Sequence, residues 1–245
     1  MTDIYSRKFT IHFSDTDYKR RVKLSSLFAY MQEATLGDFL QNGYSLPDLF
    51  RFGYTLVLSR QKIILNHIPL EGETITVETW NKSVENKILC RDFSITDFSG
   101  NAIAQATSSW LLVSLKTGKA VDFEECPVAL QLNPKEAFNK KLDLFQDTAS
   151  EKIICTRQAR YSDLDINKHV NHCRYVEWCM DALDLDEIQT REIRSFQLNY
   201  LAQISFGQKV NLVRLDNSKH HALIYGVSAE NPEIVHFQAR IGFCH

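Results

Sequence analysis

Apolar positions along this chain follow one order twice. Residues 9–13, FTIHF, read as a strand. Leu24, Leu27, Phe28, Met31 and Phe39 then recur near the spacing of one helix face, and the pattern stops at Gly43. Four strand-like runs follow, YTLVLSRQKIILN, ETITVETWNKS, KILCRDFSITD and NAIAQATSSWLLVSL, bounded by the turn signals PLEGE, DFSGN and KTGK. The second half repeats the order. KIICTRQARY reads as a strand and VNHCRYVEWCMDAL as a helix, and IRSFQLNYL, QKVNLVRL, HHALIYGVSAE and EIVHFQARIGF read as strands. Each half therefore predicts one strand, one helix and four strands.

The repeat extends to single residues. FSDTDYKRRVKLSSLFAYMQEA from Phe13 aligns without gaps with YSDLDINKHVNHCRYVEWCMDA from Tyr161, at an offset of 148. Ser14 meets Ser162, Asp15 meets Asp163, Asp17 meets Asp165, Val22 meets Val170 and Ala34 meets Ala182, with Phe13/Tyr161 and Tyr30/Trp178 as aromatic pairs. The first half has the longer helix-to-strand connection: Ser14 to Gly72 spans 58 residues, against 45 from Ser162 to Gly207. A helix with one apolar stripe beside a run of hairpin-connected strands packs on one face of an antiparallel sheet. That is the α+β hotdog arrangement, and two tandem copies predict a double hotdog whose sheets pair and hide their edges. The boundaries read as an N-terminal hotdog at residues 1–125, a polar linker at 126–151 with a short helix expected at 135–145, and a C-terminal hotdog at 152–245.

Composition narrows the classes. Hydrophobic residues make up 44% of 245 positions, enough for a sizeable core, and a net charge of -2 gives no electrostatic case for nucleic acid. No window approaches the ~18 apolar residues of a membrane helix, and the opening TDIYSRKFTIHF has no apolar signal region. The six scattered cysteines show no C-x-x-C and read as reduced thiols in a cytoplasmic protein.

Candidate chemistry collects in SDLDINKHVNH, residues 162–172. Asp163 and Asp165 precede the helix, Asn167 and His169 stand at its start, and the apolar pattern begins at Val170. Unpaired first-turn amides and the positive end of the helix dipole suit a carbonyl gathering negative charge. The side chains add a carboxylate, a carboxamide and an imidazole. The first half keeps both aspartates, as Asp15 and Asp17, but has Lys19 and Arg21 in place of Asn167 and His169. Shared aspartates predict a scaffold role, capping the helix or satisfying loop amides; the groups found once predict one active copy. Asn171 and His172 read as first-turn residues and Glu177 as a salt-bridged surface residue. His169 and His172 lack a further committed ligand, so no metal is expected.

The segment SDLDINKHVNHCRYVEW resembles the signature of the acyl-acyl-carrier-protein thioesterases, the FatA/FatB-like family of plants and bacteria, and the order of elements fits that family over nearly the whole chain. The lack of a transit peptide makes the chain look like a bacterial member. The resemblance implies hydrolysis of fatty acyl-acyl carrier protein (acyl-ACP) to free fatty acid and holo-ACP in fatty acid biosynthesis, without cofactor or metal. The partner it implies is acyl carrier protein with its phosphopantetheine-linked chain, docked on a basic patch to which Lys168, Arg174 or residues 19–23 contribute. It also implies catalysis by Asp165, Asn167 and His169, and an acyl-chain pocket in the first hotdog, with Leu27, Phe28, Tyr30, Met31, Phe39, Val57 and Ile64 as candidate liners.

One departure matters. The family carries a Glu-Cys pair on the strand after the catalytic helix, where this chain has Gln203 and Ile204. A cysteine nucleophile therefore cannot operate at that position, and Gln203 is left to orient water. An acyl-CoA thioesterase of the hotdog group, a non-catalytic acyl-binding module and a hotdog hydratase are the competing readings. A homodimer beyond the internal pair is left open by the sequence.

Overall fold

The computed structural model describes residues 4–126, 128–138, 142, 144–145, 151–215 and 220–244. The chain divides into two compact units, Met1–Leu142 and Asp143–His245.

The N-terminal unit begins with β1 (Tyr5–Thr10), followed by α1 (Leu24–Gln41) and a short α2 (Leu46–Arg51). Strands β2 (Tyr54–Leu65), β3 (Thr74–Glu85), β4 (Ile88–Thr96) and β5 (Ala102–Ser114) follow, with the two-residue β6 (Ala120–Val121) last. The strands form an antiparallel sheet in the order β1-β3-β4-β5-β2, with β6 paired to β5. The C-terminal unit repeats the plan with β7 (Glu151–Gln158), α3 (His172–Asp181), a short α4 (Leu185–Thr190), β8 (Ile193–Tyr200), β9 (Lys209–Leu215), β10 (His221–Ser228) and β11 (Val235–Phe243). Its order is β7-β9-β10-β11-β8, the same sequence of roles. Each unit is thus a helix beside an antiparallel sheet, and the fold is a double hotdog.

The predicted apolar stripe of α1 faces inward: Leu27, Phe28 and Met31 have no exposed surface, and Phe39 keeps 2%. Burying each such side chain contributes roughly 1.5–3 kcal/mol. Two short helices were not legible. α2 starts where Ser45 and Asp48 cap one another's backbone amides, with Pro47 in the first turn. α4 follows Asp184 in the second unit.

The interior of the N-terminal unit is not wholly apolar. Cross-strand register aligns Asn81 with Arg91, Arg91 with Ser108, and Ser108 with Gln61, so one polar row crosses β3, β4, β5 and β2. All four residues are buried, Arg91 completely. The Arg91 guanidinium donates to Asp38 of α1 and to Asn81, both at 2.6 Å, and to Thr79 at 3.1 Å. Among the described residues Arg91 Nε and Gln61 Oε1 have no partner. Of the expected liners, Ile64 points outward at 38% exposure while its neighbours Ile63 and Leu65 are buried.

The segment expected as a linker is packed rather than free. Asn133 donates its amide to the Asn81 carbonyl, the Trp80 indole donates to Lys135 O at 2.7 Å, and the amides of Ala137 and Phe138 donate to Asp92. Phe145 joins Val213, Leu215, Leu223 and Tyr225 of the second unit in one apolar cluster. The helix expected at 135–145 is not seen in its described residues; those amides bond to Asp92 instead, and residues 139–141 and 143 lie outside the described set.

Candidate active site

The opening aspartates build a miniature hairpin. Asp165 accepts the Lys168 amide at its carbonyl, gives its own amide to the His169 carbonyl, and Leu164 bridges to Val170. Lys168 takes a left-handed conformation, φ 63°, as the bulge position of such a three-residue loop requires. The carboxylate of Asp165 accepts the Asn167 amide at 2.8 Å, an Asx turn that stiffens the tip. Asn167 therefore sits exposed at the tip, and His169 leaves the hairpin half-buried.

The hairpin lies against the loop after β8. Val170 donates its amide to Ile204 O at 2.9 Å, and His169 bridges to Ser205. Gln208 closes that loop by accepting the Ser205 amide at 2.7 Å. Gln203 lies in the same loop, three residues past the end of β8, and is exposed, rather than on the strand that the resemblance to the family's Glu-Cys pair implies. These backbone bonds bring Asp165, Asn167 and His169 beside the segment that carries Gln203. Among the described residues, His169 Nδ1 is buried without a partner.

The N-terminal unit repeats this frame nearly bond for bond. Arg20 donates its amide to Asp17 O, Asp17 donates to Arg21 O, Val22 donates to Pro69 O, and Arg21 bridges to Leu70. Arg20 has φ 60°, and the Leu70 amide is accepted by Glu73 as Ser205 is by Gln208. What differs is the chemistry: Arg21 is ion-paired to Asp17 at 3.1 Å where His169 stands in the other copy.

Two expectations change. The helix starts at His172, two residues later than the apolar pattern indicated, and its N-cap is Asn171, whose side chain accepts the Cys173 amide at 2.9 Å. An Asn directly before the helical run was the available signal, and it had been read as a first-turn residue. Asp163 and Asp165 do not cap α3. Asp163 accepts the Arg160 amide at 2.8 Å, as Asp15 accepts the His12 amide at 3.0 Å, so both aspartates serve loop amides. Of the amides around the helix start, those of Val170, Asn171, Cys173 and Arg174 are engaged within the frame.

Sequence comparison decides the family. The acyl-ACP thioesterase N-terminal domain matches residues 2–129, and the acyl-ACP thioesterase C-terminal domain matches residues 146–243. This chain belongs to the acyl-ACP thioesterase family. A chloroplastic acyl-[acyl-carrier-protein] hydrolase of Cuphea viscosissima is 23% identical over 212 residues, covering 80% of this chain and 51% of its own length. A chloroplastic dodecanoyl-[acyl-carrier-protein] hydrolase of Umbellularia californica is 27% identical over 215 residues, covering 80% and 55%. The chain spans about half the length of the curated relatives it matches. The crystal structure of an acyl-ACP thioesterase from Bacteroides thetaiotaomicron superimposes with a TM-score of 0.90 at 26% identity, covering 98% of both chains. The 12:0-ACP thioesterase from Umbellularia californica, at 22% identity and TM-score 0.82, shares the fold.

For this member of the acyl-ACP thioesterase family, the question left by Ile204 is whether another thiol serves. Cys173 stands next to the helix start with its Sγ 3.5 Å from His172 Nε2. Burial pushes the Cys173 thiol up to about 12, so it stays protonated and poorly nucleophilic at neutral pH. Burial also holds His172 down to about 4, which keeps this imidazole neutral. His172 packs edge-on against Tyr200, which packs on Tyr175, which packs on Phe237, and this aromatic stack braces the start of α3. Glu177 pairs with Arg174 at 2.6 Å, as the sequence suggested. Of the expected basic patch, Arg20, Arg21 and Arg174 are each paired to a carboxylate, while Lys168 stands exposed on the hairpin.

Proposed function

We propose that the chain hydrolyses the thioester of fatty acyl-ACP, releasing free fatty acid and holo-ACP. Family membership over both halves supports the reaction class. The observation that carries the site is the repeat itself: in a frame kept nearly bond for bond, only the C-terminal copy has Asn167, His169 and Gln203, where the other has Lys19, Arg21 and Ile68.

In this reading Asn167 donates to the thioester carbonyl. Gln203 holds a water, and Asp165 takes the proton from that water as its oxygen bonds to the acyl carbon. The carbon–sulfur bond breaks, and His169 gives its proton to the departing thiolate. Ile204 offers no nucleophile and Cys173 is held as a thiol, so the attack belongs to water or to the Asp165 carboxylate itself. The N-terminal unit holds the acyl chain against α1, and the protein works in the cytoplasm, in keeping with six unpaired cysteines.

The test is hydrolysis of an acyl-ACP series from short to long chains beside acyl-CoA of equal length, with His169→Ala as control. Turnover of acyl-ACP by the wild type and its collapse in the variant support the reading. A preference for acyl-CoA moves the substrate to the CoA thioester, and no hydrolysis of either leaves an acyl-binding module.

A further inference from the structure

The two copies of the frame also differ in what they turn to solvent. Main-chain bonds set the corresponding residues in place. Gly207 donates its amide to Ala159 O and Ala159 donates to Gln208 O, both at 2.9 Å, which brings Arg160 next to Phe206. Gly72 donates to Ile11 O and Ile11 to Glu73 O in the same way, and the neighbours there are His12 and Glu71. In that N-terminal copy Arg20 reaches from the hairpin to the Glu71 carboxylate at 2.9 Å and closes an ion pair. Lys168 stands at the position of Arg20, and Phe206 at that of Glu71. The reach of Arg20 shows that these two positions adjoin. The C-terminal copy therefore sets a lysine beside a phenylalanine where its sister neutralises the charge.

Phe206 is 62% exposed, Ile166 at the hairpin tip 78% and Tyr161 87%. Tyr18 and Phe13, the counterparts of Ile166 and Tyr161, are exposed too, so Phe206 and the cations are what distinguish the C-terminal face. Arg160 and Lys168 are both exposed, and among the described residues neither enters an ion pair. The carboxylates of Asp163 and Asp165 accept loop amides. Apolar side chains held in water beside uncompensated cations make an interface for a partner that is apolar at its centre and acidic around it. Ile166 and Lys168 flank Asn167, and His169 follows, so a partner seated here lies over the candidate reacting groups.

We propose that this face docks the protein that delivers the acyl thioester, and that the surface it receives is acidic. Phe206 and Ile166 form the apolar contact, and Arg160 and Lys168 hold carboxylates of the partner. This deepens the proposed function and rests on it: the face matters to an acyl group carried on a protein and not to the same group on a small neutral thiol. An anionic bilayer would meet the same charges. The reacting groups stand within this face, however, which a protein-borne thioester requires and a bilayer does not.

The experiment compares wild type, Arg160→Glu/Lys168→Glu, Phe206→Glu and, in the N-terminal copy, Arg20→Glu. Hydrolysis is measured on acyl-ACP and on the same acyl group carried by pantetheine, at low and at raised salt. Arg160→Glu/Lys168→Glu is expected to lose about tenfold or more in kcat/KM on acyl-ACP, mostly through KM, and to stay within about twofold on acyl-pantetheine. Phe206→Glu, which gives Lys168 the partner that Arg20 has, behaves alike, and Arg20→Glu leaves both substrates unchanged. Raised salt slows the wild type on acyl-ACP and no longer slows the double variant. Wild-type kcat/KM on acyl-ACP in the double variant, or equal losses on both substrates, would overturn the proposal. So would a loss of binding to phosphatidylglycerol vesicles with acyl-ACP kinetics intact, which assigns the face to a membrane. A dimer that dissociates in Phe206→Glu with those kinetics intact assigns it to a second copy of the chain and equally refutes the dock. If the double variant does not fold, Arg160→Gln/Lys168→Gln replaces it. If the wild type hydrolyses neither thioester, the functional reading falls on its own, and titration of labelled holo-ACP against wild type and double variant still decides the docking.

Discussion

Val170 donates its amide to the carbonyl of Ile204 at 2.9 Å, and this one bond ties the hairpin presenting Asn167 and His169 to the loop carrying Gln203. Its counterpart joins Val22 to Pro69 at the same length, in a copy with no comparable side chains. The frame is therefore independent of the groups it displays, and its parts can be tested separately.

Asn167 is exposed and His169 half-buried, and the bonds of the frame run through their backbone atoms. Asn167→Ala and His169→Ala should each lower kcat for acyl-ACP by about 10²–10⁴-fold, the usual worth of acid–base and oriented donor groups. Melting temperatures should stay within about 2 °C of wild type. Retained turnover in both variants would remove these residues from the mechanism.

Asp165 has two duties that a single substitution separates. Asp165→Asn keeps an oxygen to accept the Asn167 amide, so the hairpin and the melting temperature should hold, while the loss of charge lowers turnover by about a hundredfold or more. The matching change Asp17→Asn in the N-terminal copy, where the carboxylate serves the Lys19 and Arg21 amides, should leave turnover unchanged. Equal turnover in both variants reduces Asp165 to a structural staple.

His172 makes the fold sensitive to acid. Burial holds its pKa at about 4 against an ordinary 6.5, so on acidification the unfolded chain takes the proton first. The stability it contributes is complete above 6.5 and is lost as pH falls toward 4. By pH ~5 the loss should reach about 2 kcal/mol relative to neutral pH. Urea unfolding at both pH values should show that loss shrinking in His172→Phe, which keeps the edge-on packing on Tyr200.

The buried row of the N-terminal unit predicts strong coupling. Arg91→Met strands Asp38, whose carboxylate the guanidinium meets at 2.6 Å, and should cost about 3–5 kcal/mol. For a chain of this size that lowers the melting temperature by on the order of 10 °C. Arg91→Met/Asp38→Leu should recover much of the loss, and additive losses in a double-mutant cycle would show that the pair is not coupled.

The duplicated fold was legible because apolar periodicity and the Asp17/Asp165 echo are local signals that reappear at a constant offset. The candidate trio stood out for the same reason, by contrast with Lys19 and Arg21. The start of α3 was misplaced because Val170 looks helical by hydrophobicity, although its amide belongs to Ile204. Gln203 was associated with a strand through the family's Glu-Cys pair, whereas pairing ends at Tyr200. The row from Asn81 to Gln61 could not be read at all. Its members become neighbours only through strand register, which joins residues up to tens of positions apart.

The hairpin closes on main-chain atoms and aspartates, not on the side chains of Asn167 or His169. The groups displayed at this hairpin are therefore detachable from foldedness. A copy can exchange them one at a time and keep the main-chain bonds that close the hairpin, as the Lys19/Arg21 copy does.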